Sequence, residues 1–317
     1  MEVVRPPRGL IIDLITPLKK SGEIDGRGLG KQLDRVLPHV QGIFLASPHM
    51  GEGNHLNLDQ RKQLVEKTLV VVRGKVPLFI WISRSDEKET TETLTGLQKH
   101  LDSRGYDGQV FWVDTPLQYH SNRGLPAHYR HLATLSDYPF LLHNDPEAIQ
   151  ALARPLKRSN IRTGILKELA RITHVNGLIF LGSLERVRHY HLAVRARNDF
   201  RIYDGDESRF LNSPSMSGVV SAGANLSPLS WRKITASSLD LGGVHEKYPD
   251  QLHQIWHMGE YLRRLMDIYQ RNPVPLVKGI LSEMGFLDSH ACISDTGDIT
   301  EDLKPLREVM RQWGDIS

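Results

Sequence analysis

Three short stretches of this chain gather side chains able to move protons or hold a polar ligand. "SPHMGEG" (47–53) carries Ser47, His49, Met50 and Glu52, and "LLHNDP" (141–146) carries His143, Asn144 and Asp145. "YDGDES" (203–208) carries Asp204, Gly205 and Asp206. Imidazole titrates near neutral pH, so His49 and His143 brought together would form a general acid–base pair. With Glu52 or Asp145 they could instead hold a divalent metal. No His-x-x-x-His spacing accompanies these two histidines, so no metal and no cofactor is assigned to them. Simpler roles compete at each position: Glu52, between glycines, can bond loop amides, and Asp206 can cap a helix.

Such groups need elements to position them. Runs rich in β-branched and aromatic residues occur at 9–17, 42–47, 76–83, 108–116, 139–145, 176–182, 200–206 and 217–225. They are nearly continuous apolar runs, the pattern of parallel strands covered on both faces. Helical patterns lie between them, with Asp59 and Ser183 as expected helix starts. Eight alternations predict a (β/α)8 TIM barrel, with an open doubly wound sheet as the alternative. Beyond about residue 240 the strand signal ends and helical patterns continue. The expected division is therefore 1–236 for the barrel and 237–317 for a C-terminal helical extension. In a barrel, chemistry sits at the C-terminal ends of the strands. Those ends collect Thr16, Ser47, His49, Glu52, Asp114, His143, Asn144, Gly205, Asp206 and Asn225 in one mouth.

The bulk composition narrows the setting. Forty Lys and Arg against 37 Asp and Glu, well mixed, give no nucleic-acid or membrane footprint. No stretch approaches the ~20 apolar residues of a membrane helix, and residues 1–10 lack a signal-like apolar core. The single cysteine, Cys292, excludes an internal disulfide and suits a reducing cytoplasm. A cytoplasmic protein with a small-molecule ligand is expected.

The strand ends, in order, resemble the dihydrodipicolinate synthase / N-acetylneuraminate lyase family over residues 8–312. The first and fourth end in "TP", the second in "SPHMGEG" and the fifth in "LLHNDP". "YDGDES", "SGVVSAGANLSP" and "NPVPLVKGILSEMG" complete the series. The resemblance implies an aldolase-type lyase acting on a small oxo acid or aldol, assembled as a homodimer or homotetramer. It also implies roles. His143 takes the place of the family's proton-relaying tyrosine, and His49 and Met50 that of its paired threonines. Tyr119 falls near the tyrosine that reaches into a neighbouring subunit's site, and Ala148 where an arginine usually follows strand five. His143, His49 and Tyr119 are thus the expected catalytic residues. Ser47, Met50, Glu52, Asn144, Ile179, Gly205, Asp206 and Val220 are the expected substrate contacts.

One departure bears on the chemistry. Ile179 aligns with the lysine that forms the family's imine with pyruvate. Lys167 in "GILKELA" is no substitute, because its neighbours repeat with helical spacing. Without an amine the covalent step fails. Two alternatives stand beside a modified lyase: a non-catalytic ligand-binding or assembly homologue, and a metal-assisted aldolase or hydratase using His49 and His143.

Overall fold

The computed structural model describes residues 5–153, 158–214, 216–241, 250–294 and 297–316. The strands are β1 (Gly9–Asp13), β2 (Gly42–Leu45), β3 (Leu78–Trp81) and β4 (Val110–Asp114). β5 (Phe140–Asn144), β6 (Val175–Phe180), β7 (Arg201–Asp204) and β8 (Gly218–Ser221) follow. Between them run α1 (Gly26–Val36), α2 (Leu58–Val72), α3 (Glu87–Arg104), α4 (Leu125–Leu132), α5 (Pro146–Ala151), α6 (Thr163–Leu169), α7 (Leu184–Val194) and α8 (Glu207–Asn212). After β8 come α9 (Pro228–Leu239), α10 (Asp250–Tyr269), α11 (Pro273–Glu283) and α12 (Thr300–Trp313).

Each strand pairs in parallel with the next, and β8 returns to β1 with Val220 opposite Ile11. The sheet is closed, so the open-sheet alternative falls. Alternation sorts the side chains. Leu10 and Ile12 face the helices, while Ile11 joins Phe44, Phe79, Trp81, Phe111, Val113, Leu141, Ile179, Tyr203 and Val220 inside. That inner cluster fills the barrel as a solid plug.

β1 is shorter than its apolar run. The amide of Leu14 still reaches Phe44 O, but the amide of Ile15 donates to Asn225 Oδ1 at 3.2 Å and leaves the ladder. Asn225 Nδ2 returns a bond to Asp13 O at 2.7 Å, and Thr16 Oγ1 donates to Gly51 O at 2.7 Å. These bonds fix the turn, so the strand ends on Asp13. The start of α2 also differs from the expected Asp59. Asn57 and Gln60 form a reciprocal capping box, and Asp59 lies in the first turn. Ser183 caps α7 through the Arg186 amide. Lys167 sits exposed on α6, outside the barrel.

α9 runs across the expected division at 236/237 and packs on β1, and α10 packs along α9 and α12. Residues 1–4, 154–157, 215, 242–249, 295–296 and 317 of the two expected segments lie outside the described residues.

Candidate active site

At the C-terminal edge of the barrel lies a cavity of about 410 Å³, within the range of small-molecule sites. His49, Met50, His143, Ile179, Gly205 and Val220, all expected from the sequence, line it. Asp13, Glu207 and Tyr269 line it too. These three were not anticipated. Ile179 and His143 are register partners across β5 and β6, so an alkyl side chain stands where the resemblance implies a lysine. Gly205 keeps the wall open, since a Cβ there would meet Leu181 Cδ1 at 2.5 Å.

The ionisable groups are tuned in opposite directions. Asp145, at the N-terminus of α5, accepts the Glu147 and Ala148 amides through Oδ1, while Oδ2 lies 2.9 Å from His49 Nε2. Burial alone would raise this carboxyl, but His49 and the helix amides hold it at about 2. Desolvation disfavours a charged His49 in turn. The Asp145 hydrogen bond and charge, helped by Asp13, outweigh it and raise the imidazole above its ordinary value.

His143 is the opposite case. Its ring is buried, with its centroid 5.9 Å from that of His49. Burial and the His49 charge push it down to about 4, so it is neutral where His49 is charged. The expectation that both imidazoles titrate near neutral pH is corrected accordingly. Trp81 Nε1 donates to Thr115 Oγ1 at 2.9 Å, and Thr115 Oγ1 lies 2.9 Å from His143 Nδ1. Trp81 occupies one of the two lone pairs of the Thr115 hydroxyl, so the direction of the Thr115–His143 bond follows the tautomer of the ring. With Thr115 as the donor to Nδ1, the ring proton of His143 lies on Nε2.

Asp13 is buried, and its Oδ1 meets no hydrogen-bond donor among the described residues. Desolvation raises it to about 6, against the opposing pull of the Ser47 hydroxyl, the His49 charge and the Met50 amide. Glu207 is instead fully engaged: Oε1 accepts from Gly223 N and the Ser221 hydroxyl, Oε2 from the Tyr269 hydroxyl. It braces the wall.

Five expected site residues lie off the cavity. Ser47 Oγ accepts the Gly51 amide at 2.8 Å behind the mouth. Glu52 turns away to a buried ion pair with Lys278 and accepts the Ile293 amide at 2.7 Å. Asn144 is held by Asn160 Oδ1 at 3.0 Å and the Ile161 amide at 2.8 Å. Asp206 caps α8 through the Arg209 amide. The Tyr119 hydroxyl folds back onto Asp114 Oδ2 at 2.8 Å rather than reaching outward. A metal shared by His49, His143 and Glu52 is therefore not supported, because Lys278 already neutralises Glu52. Among the described residues, the group of three potential ligand atoms drawn together lies elsewhere, on Glu87, His120 and His128.

The geometry can be set beside known proteins. The profile of the dihydrodipicolinate synthetase family matches residues 6–311. The chain belongs to this family. It is 25% identical over 312 residues to 4-hydroxy-tetrahydrodipicolinate synthase of Thermotoga neapolitana, covering 97% of this chain and 99% of that one. The dihydrodipicolinate synthase of Thermotoga maritima superposes with a TM-score of 0.79 at 22% identity, covering 98% and 100%. That of Acinetobacter baumannii, chloride inhibited and complexed with pyruvate, gives 0.77 at 22% identity, covering 98% and 99%. The two structures share the fold. Family membership thus rests on nearly the whole chain, as the succession of strand ends implied.

Proposed function

We propose that this family member acts on a small oxo acid or aldol at the barrel mouth by acid–base chemistry, without forming an imine. One observation carries the reading: the cavity wall at β6 is Ile179, and among the described residues no lysine lines the cavity. Lys167 is outside the barrel, and Lys278 is buried against Glu52. Neither can attack a carbonyl in the mouth.

Hydrogen bonds must then hold the charge that an imine would have absorbed. His49, kept protonated by Asp145, is a cation for a carboxylate or a developing enolate oxygen. Neutral His143 offers Nε2–H as a second donor. Asp13 is the base. In an aldol cleavage it takes the hydroxyl proton, the carbon–carbon bond breaks, and the electron pair passes into an enolate held by the imidazoles. The apolar floor of Phe44, Ile179 and Val220 strengthens those contacts by excluding water. The same reading takes the protein to be a cytoplasmic homodimer or homotetramer.

Calorimetric titration with pyruvate and larger oxo acids, together with NMR detection of turnover, tests the proposal. Binding is expected in the wild type and should weaken at least about tenfold in His49→Gln, the scale of one charge-assisted hydrogen bond. Turnover should vanish in Asp13→Asn with binding kept. Wild-type binding without turnover of any aldol would favour the ligand-binding homologue. Absence of binding to every oxo acid would contradict both.

A further inference from the structure

Outside the mouth, the β4–α4 connection and α4 bring His120 and His128, respectively, against Glu87, the first residue of α3. One ligand atom from each lies within 4.8 Å of the other two. The hydrogen bonds around them decide where the lone pairs are. Asp114 accepts on both oxygens: from Ser83 Oγ at 2.6 Å, Tyr119 Oη at 2.8 Å and Tyr129 Oη at 2.7 Å. The only hydroxyl proton of Tyr119 is committed there. The 3.0 Å contact between Tyr119 Oη and His128 Nε2 must then use the imidazole proton. This leaves a lone pair on Nδ1 of His128, and that nitrogen faces Glu87 Oε1 at 3.2 Å. His120 Nδ1 donates to the Ser121 carbonyl at 2.6 Å, which puts the lone pair of that ring on Nε2.

Two acceptors facing each other need a positive charge between them. A proton would satisfy His128 and Glu87 alone, whereas the His120 ring beside His128, centroids 4.9 Å apart, adds a third lone pair to the group. We propose that Glu87, His120 and His128 bind a divalent cation of the zinc class. Two imidazoles and one carboxylate form a borderline donor set, suited to zinc and cobalt more than to calcium or magnesium. The 3.2 Å separation of His128 Nδ1 and Glu87 Oε1 is close to the edge of about 3.3 Å in a tetrahedron with bonds of about 2.0 Å. The carbonyl of Ser121 and the Tyr119–Asp114 pair orient the two rings from behind, as outer partners of metal-bound histidines do. His128 is buried and Glu87 is exposed, so the fourth position opens to solvent. The ion would clip the start of α3 to the β4–α4 loop and to α4, independently of the chemistry at the mouth.

The measurement is zinc titration of chelator-treated protein, followed by calorimetry and by the visible spectrum of the cobalt form. His253 and His257 on α10 form a second, exposed pair with nitrogens 2.9 Å apart, so the chain carrying His257→Gln is the reference. That chain should bind one zinc ion, give a tetrahedral cobalt band, and melt at a higher temperature with zinc. Adding Glu87→Gln or His120→Asn should lower the affinity at least about tenfold and abolish the zinc-dependent rise in Tm. Glu87 is exposed and His120 half-buried, and the metal-free Tm and circular dichroism of each variant report the fold separately. Equal zinc affinity in the reference and either variant, or no binding at micromolar zinc, would overturn the assignment.

Discussion

Asp13 is a carboxyl buried at a cavity edge with an oxygen that receives no donor among the described residues, and this placement costs stability. Its folded value of about 6 lies above that of an unfolded aspartate, so the folded state holds its proton more tightly. Stability from this group therefore falls as pH rises from about 4 to about 6 and stays lower beyond. Asp13→Asn should stabilise the protein at pH 7 by at most ~3 kcal/mol and leave it unchanged near pH 3.5. Urea denaturation at the two pH values checks this; equal effects at both would contradict a shifted Asp13. His49 and Asp145 have the opposite linkage. The Asp145 contribution is present above its ordinary value near 4 and is lost as pH falls through about 2. The His49 contribution is present below its ordinary 6.5 and is lost as pH rises through its raised value. His49→Gln should thus cost most between about pH 4 and 6.5, by roughly 1 kcal/mol, since this imidazole is 45% exposed and screened. Melting curves at pH 5.5 and 9 compare the window with its edge. The sequence hid Asp13 because a single acid inside "GLIIDLITP" looks like a flaw in an apolar run, and because the strand stops there rather than at Thr16. His49 and His143 were legible as a pair, but their opposite charge states depend on Asp145 Oδ2 and on burial. Neither is visible in residue order.

The β2–α2 loop carries His49 into the mouth, and its shape comes from contacts on its far side. Gly53 approaches so closely that a Cβ would lie 1.9 Å from Ala46 O. Buried Arg61 gathers the loop from below, donating to Leu56 O at 3.3 Å and Gly53 O at 2.7 Å, with a further bond to Trp81 O. Glu52 and Lys278 tie the loop to α11, and Lys278 also donates to Ala291 O at 2.8 Å. Lys278→Met would strand a buried carboxylate and should cost about 3–5 kcal/mol. Adding Glu52→Gln should recover part of that loss in chemical denaturation. A double variant no more stable than the single would show that the pair is not the loop's anchor. The reading of Glu52 as a substrate contact failed because its partner lies 226 positions away. Sequence patterning reports periodicity within an element, and it found all eight strands because every strand residue except Arg201 at the start of β7 is buried. It does not report which distant side chain a loop acid will meet.

The whole molecule is a family barrel whose mouth is completed from outside the barrel. Tyr269, Gln270, Pro273 and Val274, at the junction of α10 and α11, line the cavity. They had no signature of their own, since the helical patterns predicted an extension without saying which end would meet the mouth. Leu252 and Trp256 stand four residues apart on α10, 55% and 67% exposed, and form an apolar stripe on its surface. Light scattering during size exclusion should show two or four chains, and Trp256→Glu should shift the mass downward; a wild-type monomer would contradict this. The central claim concerns covalent chemistry. Incubation with pyruvate and borohydride, followed by intact-mass measurement and peptide mapping, tests it most directly. The account predicts no reduced pyruvate adduct on any residue of the cavity. A stoichiometric adduct on Lys167 or Lys278, lost together with turnover when that lysine is replaced, would show that an amine reaches the mouth and that the imine mechanism operates here after all.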